Sequence, residues 1–177
     1  MGAAKVIADY RRSHNAMCMR GVLERGHAVA KMMSAVVITR PVEEVFSFFL
    51  ALDESAPRID PTVQVGSVIK TPDGPASAGT TFRFRQQNLG KTRETVTRFT
   101  ALDLNRKIEF DAEIGPMRPK CELTFEPSNG GTLVTFRGDS IPSGPLKWLS
   151  PLANRKGQQV WQERLGRIKI VLESSAL

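Results

Sequence analysis

The sequence predicts an α+β domain: a curved antiparallel sheet of about six to seven strands wrapped around a long C-terminal helix, with one or two short helices after the first strand. Three observations predict it. A proline-started apolar segment, Arg40 to Leu52, follows a short β-branched run. Alternating apolar and polar residues, broken by short turns, then extend to Asp139. Helical spacing returns around Trp161 and closes the chain.

The elements follow in order. Ala35 to Thr39 is rich in β-branched residues and reads as a strand. Pro41 suits the first turn of a helix, and Glu43 and Glu44 lie close to its positive end. Val42, Val45, Phe46, Phe49 and Leu50 recur at helical spacing and form one apolar face. Asp53 to Pro61, with two prolines, reads as a loop or a short second helix. Thr62 to Ile69 reads as the next strand, ended by the turn Pro72-Asp73-Gly74-Pro75.

The sheet proper comes next. In Thr80 to Gln87, Phe82 and Phe84 fall on one face, and Arg83 and Arg85 fall on the other. Asn88 to Gly90 marks a hairpin turn, and Lys91 to Leu102 follows as a long strand. There Thr95, Thr97 and Phe99 share a face opposite Val96 and Arg98, and the pattern leaves open which face is inward. Asn105 to Ile114 sends Ile108, Phe110 and Ala112 one way and Glu109, Asp111 and Glu113 the other. Arg118 to Glu126 sets Cys121, Leu123 and Phe125 against Lys120, Glu122, Thr124 and Glu126. Ser128 to Gly131 is a turn, after which Thr132 to Asp139 returns Val134 and Phe136 to the apolar face. Consecutive strands with short turns and one wet face each make an antiparallel meander with a single buried side. Beyond Pro142-Ser143-Gly144-Pro145, Trp161, Leu165, Ile168 and Leu172 form a helical stripe. Gln158, Gln162, Glu163, Arg164, Arg167 and Lys169 cover its other sides. Pro151 and Gly157 divide the segment, so Leu146 to Leu152 can be a separate short helix.

A chain of 177 residues suits one domain with a real core. Its net charge of +7 invites a nucleic-acid reading, but four of those charges fall in residues 1–33. The rest are interleaved with acids and form no basic stripe, so no nucleic-acid partner is expected. Two cysteines, Cys18 and Cys121, make neither a disulfide framework nor a metal knuckle, and a cytoplasmic location is expected. No window is long and apolar enough for an integral membrane segment. Residues 1–33 read as a basic appendage to a domain at 34–177. Three readings of it stay open: an upstream start site ahead of Met32 and Met33, a loosely attached helix, and an Arg-rich transit peptide. The first two are favoured.

Particular stretches carry a family likeness. Ile38-Thr39-Arg40-Pro41-Val42-Glu43-Glu44-Val45-Phe46 follows the first strand, Gly79-Thr80-Thr81-Phe82 opens the third, and Gly130-Gly131-Thr132-Leu133-Val134-Thr135 precedes the last. The helix ending Leu165 to Glu173 completes the set. Over residues 34–174 the chain resembles the START-like, or helix-grip (SRPBCC), superfamily, and within it the small polyketide cyclase/dehydrase-type domains. The resemblance implies a helix-grip fold with a cavity between the curved sheet and the last helix. It implies lipids, hormones, polyketides or other apolar molecules as ligands, with cyclisation or dehydration catalysed by a minority of members.

The residues themselves offer little chemistry. Both histidines, His14 and His27, and the single tyrosine, Tyr10, lie before the domain. No Ser-His-Asp or Cys-His set and no zinc site can form, and no metal or cofactor is expected. Glu109, Asp111 and Glu113 share the face opposite Ile108 and Phe110, so they read as solvated, as do Arg83 and Arg85, which can pair with them across strands. Arg98 could carry charge inside but is favoured as a surface residue. Gln86 continues the Phe82 and Phe84 face to the rim and is favoured as a strand-end hydrogen-bonding group.

The expected function is binding or transport of a hydrophobic small molecule by a monomer or homodimer. The expected wall is Phe82, Phe84, Phe99, Phe110, Leu123, Phe125, Phe136, Trp161, Leu165 and Ile168, with Phe46 and Phe49 nearby. Catalysis is not favoured, and no catalytic residue is assigned. A polyketide cyclase or dehydratase is the enzymatic alternative, and a protein-interaction or toxin-type domain is the third.

Overall fold

The structure, a computed structural model, describes residues 32–88, 90–142 and 150–174. The appendage before Met32 and most of the expected helix at Leu146 to Leu152 lie outside the described residues. In order, the elements are β1 (Met32–Ile38), α1 (Val42–Leu50), α2 (Leu52–Ile59), β2 (Ile69–Thr71), β3 (Thr81–Asn88), β4 (Lys91–Asp103), β5 (Lys107–Ile114), β6 (Met117–Ser128), β7 (Gly131–Pro142) and α3 (Ser150–Ser174). The strands form one antiparallel sheet in the order β1-β7-β6-β5-β4-β3-β2. The helices α1 and α2 separate the two outermost strands, and β2 to β7 run as the expected meander. A register shift between Phe99 and Ala101 bends β4 against β5. This is the α+β, helix-grip-like architecture that the sequence predicts.

Pro41 precedes α1 with φ −57°, and Glu43 and Glu44 sit in its first turn, where the helix dipole favours acids. The apolar face buries Val45, Phe46 and Phe49. Phe46 and Phe49 both meet Phe125 of β6 edge-on, at 5.1 and 5.3 Å between ring centres. On α3, Leu165, Ile168 and Leu172 are buried and continue the stripe from Trp161. Pro151 falls in the first helical turn, where a missing N–H costs nothing, so α3 runs unbroken from Ser150 to Ser174. Gly157 does not divide it either: a side chain there would strike Met32 of β1.

The far end of α3 is tied to the corner after β1. Arg40 Nε donates to the Leu172 carbonyl at 2.9 Å, satisfying one of the acceptors that a helix end leaves free. Lys169 Nζ donates to the Val37 carbonyl and to Glu173 Oε1, both at 2.7 Å, and the Thr39 N–H donates to the same carboxylate at 2.8 Å. The Lys169 bond, followed by the Thr39 bond, holds the Glu173 carboxyl at about 2.

One element differs from expectation. Most of Thr62 to Ile69 is not a strand: its β-bridge to the sheet is Val63 to Gln86, the Ser67 hydroxyl accepts from the Arg85 N–H, and β2 begins only at Ile69. Gly66 has φ +72°, and the Ser67 N–H and hydroxyl both donate to the Gln64 carbonyl, so the chain turns where an extended run was expected. β1 also begins at Met32, three residues before the expected start at Ala35, and ends at Ile38 rather than Thr39.

Gly131 opens β7 where the chain passes closest to the end of β1. A Cβ there would overlap the Ile38 carbonyl oxygen and lie 2.8 Å from Thr39 Cα. Gly131→Ala is expected to lower stability by about 1–3 kcal/mol, because backbone must yield. Gly166→Ala places a methyl in open space on α3. It should be neutral or stabilise by up to about 1 kcal/mol through helix propensity. Urea melts of the two variants check the pair, and equal effects would remove close approach as the reason for Gly131.

Candidate functional site

The inner face of the sheet, the two short helices and the middle of α3 enclose a cavity of about 90 Å³ that is partly open to solvent. Phe49, Leu52, Ala56 and Ile59 line it from the two short helices, with Asp60 and Val63 just beyond. Phe84 and Gln86 come from β3, and Thr95, Thr97 and Phe99 from β4. Ile108, Phe110, Ala112 and Ile114 come from β5, Pro119, Cys121 and Leu123 from β6, and Trp161 and Arg164 from α3. A water needs about 10–15 Å³ of such space, and a dry cavity of about 150 Å³ takes benzene. The enclosed part therefore suits a fragment smaller than one ring. Anything larger must extend through the mouth or displace Trp161 or α2.

Of the ten residues expected as wall, Phe84, Phe99, Phe110, Leu123 and Trp161 line this cavity. Phe82, Phe125, Phe136, Leu165 and Ile168 lie in the close-packed core beyond it. The dividing feature is Trp161. Its ring stacks on Phe136 at 3.9 Å and 12° and tilts against Phe110 at 5.9 Å, which fills the space behind it. Phe49 lines the cavity, whereas Phe46 is core.

The strand faces sort cleanly. Thr95 and Thr97 are buried and Arg98 is exposed, so β4 turns its threonine face inward. Register explains this: Thr95 lies opposite Phe84, and Thr97 opposite Phe82 and Ala112, all inward. None of Glu109, Asp111 and Glu113 lines the cavity. Glu109 meets Lys107 at 2.6 Å and Glu113 meets Arg118 at 3.4 Å. Arg83 pairs with Glu94 of the neighbouring β4 at 3.5 Å rather than with the acids of β5.

Two charged residues that the sequence does not single out meet at the cavity wall. Asp60 caps α2, its N–H bonded to the Ala56 carbonyl at 3.0 Å. Its Oδ1 accepts from the Thr62 N–H at 2.9 Å and the Thr62 hydroxyl at 2.6 Å. Its Oδ2 accepts from Arg164 Nε at 3.1 Å and from Arg164 Nη2. The guanidinium also lies over the Trp161 ring at 5.4 Å. Burial pushes the Asp60 carboxyl up, but the Arg164 charge and the Thr62 and Arg164 hydrogen bonds outweigh it and hold the carboxyl below its ordinary value. Asp60 is thus held ionised, with both of its oxygens accepting hydrogen bonds. Arg164 stands three residues after Trp161, so it shares the edge of the apolar stripe; that spacing is the one sequence signal that could have found it.

Two further polar groups are not satisfied. Gln86 Oε1 and Thr95 Oγ1 are buried without a hydrogen-bond partner among the described residues, and both residues line the cavity. Cys121 also faces it, and burial pushes its thiol up to about 12, so it stays protonated and unreactive.

Comparison with known proteins places the chain in a family. A family model described as polyketide cyclase/dehydrase and lipid transport matches residues 29–173. No curated protein matches the sequence. Among solved structures, the chain is similar to TTHA0849 of Thermus thermophilus, with TM-score 0.64 and 18% identity over 82% of this chain and 99% of that one. It is similar to the di-domain ARO/CYC StfQ of the steffimycin biosynthetic pathway, with TM-score 0.63 and 13% identity over 82% of this chain and 51% of that one. It is also similar to Ara h 8.0201, with TM-score 0.57 and 16% identity over 77% and 95%. At such identities the likeness is one of fold.

Proposed function

The chain belongs to the polyketide cyclase/dehydrase and lipid transport family, and from that premise we propose that it binds and carries a hydrophobic small molecule in the cavity between sheet and α3. The observation that carries this reading is a largely apolar cavity whose ionisable groups are already committed. Asp60 is held ionised by Thr62 and Arg164, Arg164 is engaged by Asp60, and the Cys121 thiol is raised to about 12. A cyclase or dehydratase needs an acid or base free to exchange a proton near neutral pH, and these groups do not supply one. Binding would come from apolar burial against Phe84, Phe99, Phe110, Leu123 and Trp161, with a few polar groups fixing orientation. Among the described residues no helix is long and apolar enough to cross a membrane.

Native mass spectrometry of the protein as purified, with organic extraction of any passenger, tests the proposal. A stoichiometric apolar passenger is the expected result. An empty protein that also shows no thermal shift with fatty acids, sterols and aromatic polyketides would overturn it.

A further inference from the structure

The polar corner of the cavity says more about the ligand than the apolar wall does. Gln86 and Thr95 sit on adjacent strands: Thr95 lies opposite Phe84, and Gln86 is two residues further along β3 on the same inward face. They are therefore diagonal neighbours, within reach of one small group placed between them. Gln86 is 6% exposed and Thr95 is 2% exposed, yet Gln86 Oε1 and Thr95 Oγ1 have no partner among the described residues. A buried polar group without a partner is costly, and neither group serves a strand or a cap. The two charged groups at the cavity wall behave differently. Asp60 and Arg164 satisfy each other, and Thr62 takes the second carboxylate oxygen.

We propose that Gln86 and Thr95 form a hydroxyl-recognition subsite, and that the ligand is a neutral apolar molecule whose hydroxyl donates to Gln86 Oε1 and accepts from the Thr95 hydroxyl. This rests on the reading that the cavity binds a small molecule, and it names the chemistry of that molecule. A hydroxyl suits the corner because it both gives and takes a hydrogen bond. If the amide nitrogen and oxygen of Gln86 were exchanged, the hydroxyl would accept from Gln86 and donate to Thr95. A carboxylate is disfavoured. Arg164, the only cation at the cavity wall among the described residues, already has Nε and Nη2 on Asp60, so an anion at the corner would be buried without a free counter-charge. An all-hydrocarbon ligand would leave both polar groups as they are.

The test compares three single-ring probes on the full chain by calorimetry at pH 7: 4-ethylphenol, ethylbenzene and 4-ethylbenzoate. The informative quantity is the affinity ratio of ethylphenol to ethylbenzene, because it cancels the apolar contribution. Gln86→Leu combined with Thr95→Val should lower that ratio about tenfold relative to the parent chain, the loss of two ordinary hydrogen bonds. Both substitutions keep approximate shape and remove unpaired polar atoms, so the melting temperature of the free variant should stay level or rise. If the double variant melts lower, Gln86→Met with Thr95 intact is used instead, with a ratio change of about threefold expected. An unchanged ratio in a folded variant would overturn the subsite while leaving the carrier reading standing, since ethylbenzene would still bind. Tighter binding of 4-ethylbenzoate than of 4-ethylphenol would overturn the neutral-ligand assignment. Absence of binding by all three probes would overturn the subsite, while the passenger and thermal-shift results decide the carrier reading separately.

Discussion

Phe136→Ala is expected to cost about 3–5 kcal/mol, the largest stability loss of any single truncation proposed for this chain. Phe136 is 0% exposed, and its ring lies flat on Trp161 at 3.9 Å. It stands opposite Ser34 of β1 and Leu123 of β6, so it joins the sheet to α3 at the centre of β7. Its removal would take away the floor on which Trp161 rests as well as its own contacts. A domain of this size has about 5–15 kcal/mol in total. The variant should therefore melt about 6–20 °C lower. Phe136→Leu, which keeps most of the volume, should lose less than half as much. A fall below about 3 °C for the alanine variant would mean that α3 does not lean on β7 through this stack. Because the stack sets the back wall of the cavity, Phe136→Ala should also let Trp161 recede. Any probe that still binds would then accept a larger apolar group.

Much of this architecture was legible because its elements state their period strongly. In β3, β5 and β6 one face carries charges and the other carries Phe, Leu or Ile, so alternation alone assigns the inside. The stripe from Trp161 to Leu172 did the same for α3. Legibility ended where residues are ambivalent or where the partner is remote. Threonine is β-branched and polar, so Thr95 and Thr97 fit either face of β4, and only their register against Phe84, Phe82 and Ala112 decides. Thr62 to Ile69 has strand composition, but Gly66 turns it. Asp60 and Arg164 are separated by 104 positions, and no spacing rule connects a helix cap to a helix face so far away. The two unsatisfied groups were beyond sequence reasoning for a related reason. Alternation puts Gln86 on the inward face and near the rim, but its lack of a partner is a property of everything around it.

Asp60→Asn should move two measurements in opposite directions. The substitution removes the negative charge from Arg164 while an amide oxygen can still accept from Thr62. Arg164 is then a wall cation that has lost its counter-charge. Side-chain exposures of 12% for Asp60 and 21% for Arg164 place the pair between a surface bridge and a buried one. A loss of about 2 kcal/mol at neutral pH is therefore expected, below the ~3–5 kcal/mol for breaking a fully buried pair. The pH dependence follows from the lowered Asp60 carboxyl. A depressed carboxyl contributes stability that is fully present above its unfolded value, near ~3.9, and is lost as pH falls through the lower folded value. The gap between parent and variant should thus be constant from neutral pH down to about 4 and close below it. A gap that persists at lower pH would mean that the stabilisation comes from shape rather than charge. Binding should change the other way. With its counter-charge gone, Arg164 can take a carboxylate, so 4-ethylbenzoate should bind about tenfold tighter to the variant than to the parent chain. The affinity for 4-ethylphenol, set by Gln86 and Thr95, should change by less than about twofold. General loosening of the fold cannot produce lower stability together with a selective gain for one anion. A variant that is both weaker in folding and no better for the carboxylate would show that Asp60 only caps α2, and that the charge balance of the cavity does not choose its ligand.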